Sequence, residues 1–94
     1  MAAYVIGHIL VRDPVVWQEY VSQVGATITG HGGEVLFRGS KEVELNGALA
    51  SDRVVALRFA DIDEARRWHN SAAYQKLIPV RDACAEVTLV MYQD

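Results

Sequence analysis

The chain has 94 residues, 51% hydrophobic and 22% charged, which is one domain's worth of chain with a globular rather than a disordered composition. Its formal net charge is -3 with no cluster of four or more Lys and Arg, which argues against a nucleic-acid partner and against docking on an anionic membrane. The lone cysteine, Cys84, cannot form an internal disulfide, and no Cys/His spacing suits zinc, so the chain reads as a cytoplasmic protein without a metal. The start, Met1 to Tyr4, lacks the basic n-region of a signal peptide, and no apolar run approaches the about 20 residues of a membrane span.

Residues Tyr4 to Val11 are apolar except His8 and read as a strand covered on both faces. Asp13-Pro14 starts a helix: Asp13 caps free N–H groups, and Pro14 sits where a missing donor costs nothing. Trp17, Tyr20, Val21, Val24 and Ile28 form its apolar stripe. Gly30, Gly32 and Gly33 end it. Glu34 to Arg38 is a strand, with Val35 and Phe37 on one face and Leu36 and Arg38 on the other. Glu42 to Leu45 continues it beyond a bend at Gly39. Asn46-Gly47 is a turn signal in a loop longer than a tight hairpin.

Arg53 to Phe59 is a third strand. Asp61 caps a second helix, with Glu64 completing a capping-box variant, and Ile62, Ala65 and Trp68 supply its buried stripe. Asn70-Ser71 breaks it. Ser71 restarts a short helix through Tyr74 and Leu77, which Pro79 stops or kinks. A further turn covers Val80 to Ala83, and Glu86 to Tyr92 is the last strand.

A βαββαβ order in a chain this short points to a single α+β domain over residues 1–94. It is a ferredoxin-like sandwich, an antiparallel sheet with helices on one face and the first and third strands central. The first, third and last strands are nevertheless apolar on both faces: Val55, Leu57 and Phe59 point one way, Val54 and Ala56 the other. An identical sheet from a second chain is the simplest cover, which predicts a homodimer through the sheet face. A monomer with an open apolar face is the alternative.

Several stretches carry a family resemblance: Tyr4-Val-Ile-Gly-His8 leading to Asp13-Pro14, Trp17 through Tyr20, and Gly32 through Gly39. They continue with Glu44-Leu-Asn-Gly47, Arg53 through Phe59, and Trp68-His-Asn-Ser-Ala-Ala-Tyr74 with Arg81 behind it. On these the chain resembles domain of unknown function 1330, a family of the dimeric α+β barrel superfamily, over nearly its whole length. The resemblance implies a ferredoxin-like subunit, a back-to-back sheet dimer and a pocket between sheet and helices. It implies no single activity for the family. The superfamily includes cofactor-independent monooxygenases and muconolactone isomerase-like proteins, an analogy of fold rather than of chemistry. The chain departs from the family at His8, where a Gln or similar residue is expected.

His8, Arg38 and Arg58 interrupt apolar strands at even-numbered positions. Placed on one face, they form an anion clamp beside a histidine base. Placed near strand ends, the arginines pair instead with Glu34, Glu44 or Asp61. Trp17, Tyr20, Trp68 and Tyr74 either pack the core or wall a pocket for a flat organic ligand with a phenol as its polar handle. Arg81 either bonds a helix end or guards the pocket mouth.

Two functions follow. One is a protein that binds a small aromatic or carboxylate ligand through His8, Tyr20, Arg38, Arg58, Trp68, Tyr74 and Arg81. The other is an isomerase- or monooxygenase-like enzyme that needs no cofactor, with His8 as base. No GxSxG, Walker or dinucleotide fingerprint occurs, so the reading includes no cofactor.

Overall fold

The computed structural model describes residues 1–94. The elements are β1 (Ala3–Val11), α1 (Pro14–Thr29), β2 (Glu34–Ser40), β3 (Arg53–Phe59), α2 (Ile62–Asn70), α3 (Ala72–Gln75), α4 (Ile78–Cys84) and β4 (Ala85–Gln93). Every strand pairing is antiparallel and the sheet order is β2-β3-β1-β4. This is the expected ferredoxin-like sandwich, with β1 and β3 central. No helix is long and apolar enough to cross a membrane.

The helix boundaries follow from capping chemistry. Asp13 Oδ1 accepts from the N–H groups of Val15 and Val16 at 3.1 and 3.3 Å, with Pro14 at the first helical position. At the far end Gly30 is still right-handed, and the left-handed residue is Gly32, φ 71. Asp61 Oδ1 accepts from the Glu64 N–H at 2.8 Å. The Glu64 carboxylate turns to Arg67 Nη2 at 2.8 Å instead of closing the box. Ser71 Oγ accepts from the Tyr74 N–H at 3.2 Å and starts α3. Pro79 lies in the first turn of α4, so it opens that helix rather than stopping one; its fixed φ suits that position.

One layer of helices covers one face of the sheet. Trp17, Tyr20, Val24 and Ile28 of α1 and Ala65 and Trp68 of α2 pack on Val5, Ile9, Leu57 and Phe59. No polar or charged residue is buried. The other face carries Tyr4, Ile6, His8 and Leu10 of β1, Val54 and Ala56 of β3, and Val90 and Tyr92 of β4, as the registers require.

Two strand expectations fail in β2. Val35 opposes Leu57 and Phe37 opposes Ala56, so Leu36 is an extra residue, a β-bulge. A bulge shifts side-chain parity by one. Arg38, opposite Val55, therefore shares the helix-facing side with Val35, while Phe37 goes to the outer face. Nor do residues Glu42 to Leu45 extend the strand. The Lys41 N–H donates to the Asp52 carbonyl at 2.7 Å, which closes the ladder, and residues 41–52 form an irregular arm between the strands.

The glycines of the first helix region make opposite predictions. A Cβ on Gly33 would lie 2.5 Å from Cε1 of Phe59, a fully buried ring. Gly33→Ala is expected to cost about 1–3 kcal/mol, as overpacking does. Gly25, inside α1, has nothing within 4 Å, so Gly25→Ala is expected to gain about 0.5–1 kcal/mol from helix propensity alone. Urea denaturation reads both; a neutral Gly33→Ala would show that the core yields freely there.

Candidate functional site

The bulge decides where the site lies. By turning Arg38 toward α1 it places a guanidinium at a cavity of about 270 Å³ between the helix and the end of the β2–β3 pair. Trp17, Gln18 and Val21 form the helix wall, and Arg38, Ser40 and Arg53 the sheet wall. Arg38 and Arg53 occupy diagonal positions on neighbouring strands, roughly 7–8 Å apart by sheet geometry. Neither makes an ion pair or a side-chain hydrogen bond within the chain, and no carboxylate lines the cavity.

Below this chamber lies a smaller one of about 20 Å³, enough for roughly one water. It shares Trp17, Arg38, Ile9 and Val55 with the outer chamber and is floored by Tyr20 and Trp68. The aromatic residues fill what would otherwise be its depth. Trp17 stacks on Tyr20 with ring centroids 5.0 Å apart, and Trp68 lies 4.3 Å from Tyr74 and 5.4 Å from Phe59. The Trp68 Nε1–H donates to Thr27 Oγ1 at 3.0 Å. Trp17, Trp68 and Tyr74 are thus all core residues, and Trp17 also forms part of the wall of the larger chamber.

Behind the aromatic layer runs a polar chain. Arg81 Nη1 donates to the Tyr74 hydroxyl at 3.0 Å, and that hydroxyl is 3.0 Å from the Tyr20 hydroxyl. Arg81 Nε also donates to Asp82 at 3.0 Å. Burial, and then the adjacent Tyr74, pushes the Tyr20 hydroxyl far above the ordinary phenol range; Arg81 and Arg38 pull the other way and do not prevail. Tyr20 is therefore a neutral hydrogen-bonding group rather than a base.

His8, Arg38 and Arg58 do not converge. His8 sits opposite Val54 and Thr88 on the outer face, and Arg58 opposite Tyr4 and Glu34 on the same face. Four strand positions, about 13 Å at 3.3 Å per residue, separate His8 from the register of Arg58. Arg38 is on the other side of the sheet. Arg58 Nη1 lies 3.9 Å from Glu34 Oε1, so it takes the strand-pair role, while Arg38 does not. Arg81 sits at the closed end of the tyrosine pair rather than at the mouth.

Sequence reading missed Arg53 and Gln18. Arg53 was legible: it has the parity of Val55, Leu57 and Phe59. Gln18 is one step off the buried stripe of α1 and carries no signal by itself. Burial raises the Cys84 thiol's pKa, as does Asp13, which makes it a packing residue rather than a nucleophile.

A family model described as domain of unknown function (DUF1330) matches residues 2–94. No curated protein matches the chain. Among solved structures, RPA0582 of Rhodopseudomonas palustris, a protein of unknown function, superposes with a TM-score of 0.84 at 16% identity, covering 99% of this chain and 82% of that one. SnoaB of Streptomyces nogalater, described as a cofactor-independent oxygenase, gives 0.71 at 10% identity over 99% and 92%. A conserved Bacteroides thetaiotaomicron protein, described as a possible oxidoreductase, gives 0.66 at 8% over 99% and 97%. At these identities the likeness is one of fold.

The Tyr20 environment has a pH signature. A phenol pKa raised by folding contributes stability that is complete below the unfolded value of about 10 and falls as pH rises above it, because only the unfolded chain then releases the proton. Denaturation at stepped alkaline pH is expected to show this decline, and Tyr20→Phe to flatten it. All tyrosines ionising together near pH 10 in the folded protein, read at 295 nm, would contradict the burial argument.

Proposed function

The chain belongs to the family described as domain of unknown function (DUF1330), and from that premise we propose that it binds a small aromatic carboxylate or enolate in the chamber between α1 and the β2–β3 end. The observation that carries this is the pair Arg38 and Arg53, two cations facing one cavity with no carboxylate among its lining residues, in a chain of net charge -3. Like charges held together favour an anion that divides its contacts between them, and guanidinium forks suit a planar carboxylate. Trp17 offers the aromatic wall and Gln18 and Ser40 neutral hydrogen bonds, with Tyr20, Trp68, Tyr74 and Arg81 holding the floor in place.

An enzyme of the cofactor-independent oxygenase or isomerase kind is the second reading. SnoaB, which shares the fold, is described as such an oxygenase. The arginines would stabilise developing negative charge on a substrate oxygen. Neither a histidine nor a carboxylate lines this chamber, and His8 is on the opposite face. The enzyme reading thus reduces to substrates that arrive already ionised, and binding is the reading the geometry supports better.

We propose further that the protein is a cytoplasmic homodimer joined through the outer sheet face. Support comes from Tyr4, Ile6, Val54, Ala56 and Val90, an apolar set on a face no helix covers. The chain is a slab of 32 × 30 × 16 Å, broad enough for the about 800 Å² per partner of a stable interface.

A thermal-shift screen of small aromatic acids tests the binding proposal. A ligand at a hundred times its Kd stabilises by about 2.7 kcal/mol, on the order of 10 °C for a domain this size. Arg38→Gln is expected to abolish the shift and Arg58→Gln to leave it. No hit with the wild type, or equal loss in both variants, would end the proposal. For the dimer, sedimentation at micromolar concentration is expected to give two chains per particle, and one for Ile6→Glu; a monomeric wild type would refute it.

A further inference from the structure

We propose that the arm between β2 and β3, residues 41–52, clasps a second copy of the chain, and that this copy completes the cavity around His8. The inference rests on the homodimer reading and assigns the arm a part in it.

Polar bonds rather than packing hold the arm in shape. Lys41 Nζ donates to Glu44 Oε2 at 3.3 Å and to the Leu49 carbonyl at 2.7 Å, and the Leu49 N–H donates to the same Glu44 oxygen at 3.3 Å. Gly47 takes φ 78 and turns the tip. The arm presents its aliphatic side chains to solvent: Leu45 is 96% exposed and Val43 65%. Isolated surface leucines are ordinary. Here they stand on a prefixed frame, and the ordering that usually weakens loop binding has already been done.

The arm is continuous with the outer sheet face. Leu49 and Ser51 roof two adjoining cavities of about 300 and 240 Å³ whose shared wall is His8. His8 and Ser51 line both, and His8 Nδ1 and Ser51 Oγ are themselves buried beside the cavities without a hydrogen-bond partner from the chain. Native structures rarely leave such atoms unpaired. The chain alone thus leaves two polar groups unpaired where the arm meets the sheet, and the cavities beside them are the space a second copy would fill.

A second copy is the occupant the page favours. A two-fold contact sets the same surface against itself, so one chain must supply both the projecting apolar element and the apolar face that receives it. This chain has both, side by side. Such a contact also needs charges of both signs, because a single-sign rim would repel its own image. Arg53 and Glu86, among the lining residues, supply them.

Sedimentation equilibrium on the full chain, as wild type, Leu45→Asp, Val43→Asp and Val15→Asp, tests the arm apart from the dimer. Leu45 lies outside the core, so circular dichroism is expected to be unchanged. Leu45→Asp should weaken association by about 100-fold, since a leucine's burial is lost and a carboxylate is buried unpaired. Val43→Asp should act in the same direction. Val15, 76% exposed on α1, is the matched control, and its variant should dimerise as the wild type does. A monomeric wild type would remove the dimer and the arm's role together. A Leu45→Asp protein that dimerises at wild-type strength would overturn the arm's role and leave the dimer standing. Equal weakening by Val15→Asp would also overturn it.

Discussion

The sheet has two apolar faces, and its own helices cover one. Everything else follows from that imbalance. β1 and β3 sit in the centre, where both faces need cover, and alternation sends Val5, Ile9, Leu57 and Phe59 to the helices and Ile6, Val54 and Ala56 away from them. With roughly 25 cal/mol gained per Å² of apolar surface removed from water, a covered second face is worth more than any polar contact in the chain. The surface ion pairs are exposed and individually contribute little.

The candidate site depends on a single extra residue. Without the bulge at Leu36, Phe37 would face α1 and Arg38 would stand on the outer face with Arg58. The bulge exchanges them. It puts a cation where a helix-side ligand can reach it and an aromatic ring where a partner sheet can. One backbone irregularity thus sorts charge to the pocket and grease to the outer face. Bulges recur at sheet edges and beside functional sites for this reason.

The fold was legible because its signals are local and repeated. The Asp13-Pro14 cap, the α1 stripe, the third strand at Arg53 to Phe59 and the two-sided apolar pattern are each written in consecutive residues. The site was less so. Alternation allowed His8, Arg38 and Arg58 to share a face; the bulge removed Arg38 and distance along the strands separates the other two, and nothing in the sequence announces the bulge, since Glu34 to Ser40 contains no Pro and its one glycine, Gly39, lies beyond it. The aromatic residues were legible as a cluster, and all four are buried; what the sequence did not show is that Trp17 also edges the larger chamber while Tyr20 bonds back to Tyr74. Arg53 could have been found by carrying the odd-numbered parity of its strand one step further back. Pro79 was read as stopping or kinking the helix before it, with a separate turn over Val80 to Ala83 beyond; it is instead part of the first turn of that following helix.

The pocket and the arm meet at the same strand ends. Ser40 and Arg53 oppose one another in the last register of β2 and β3. The next backbone bond, from Lys41 to Asp52, is the foot of the arm. Arg53 lines the helix-side chamber and also the outer-face cavity that Leu49 roofs. On the proposed readings, an anion drawn to Arg38 and Arg53 and a second chain gripped by the arm would meet at one residue, Arg53, from opposite sides of the sheet. That shared residue is the physical reason to measure ligand binding and association on the same variants.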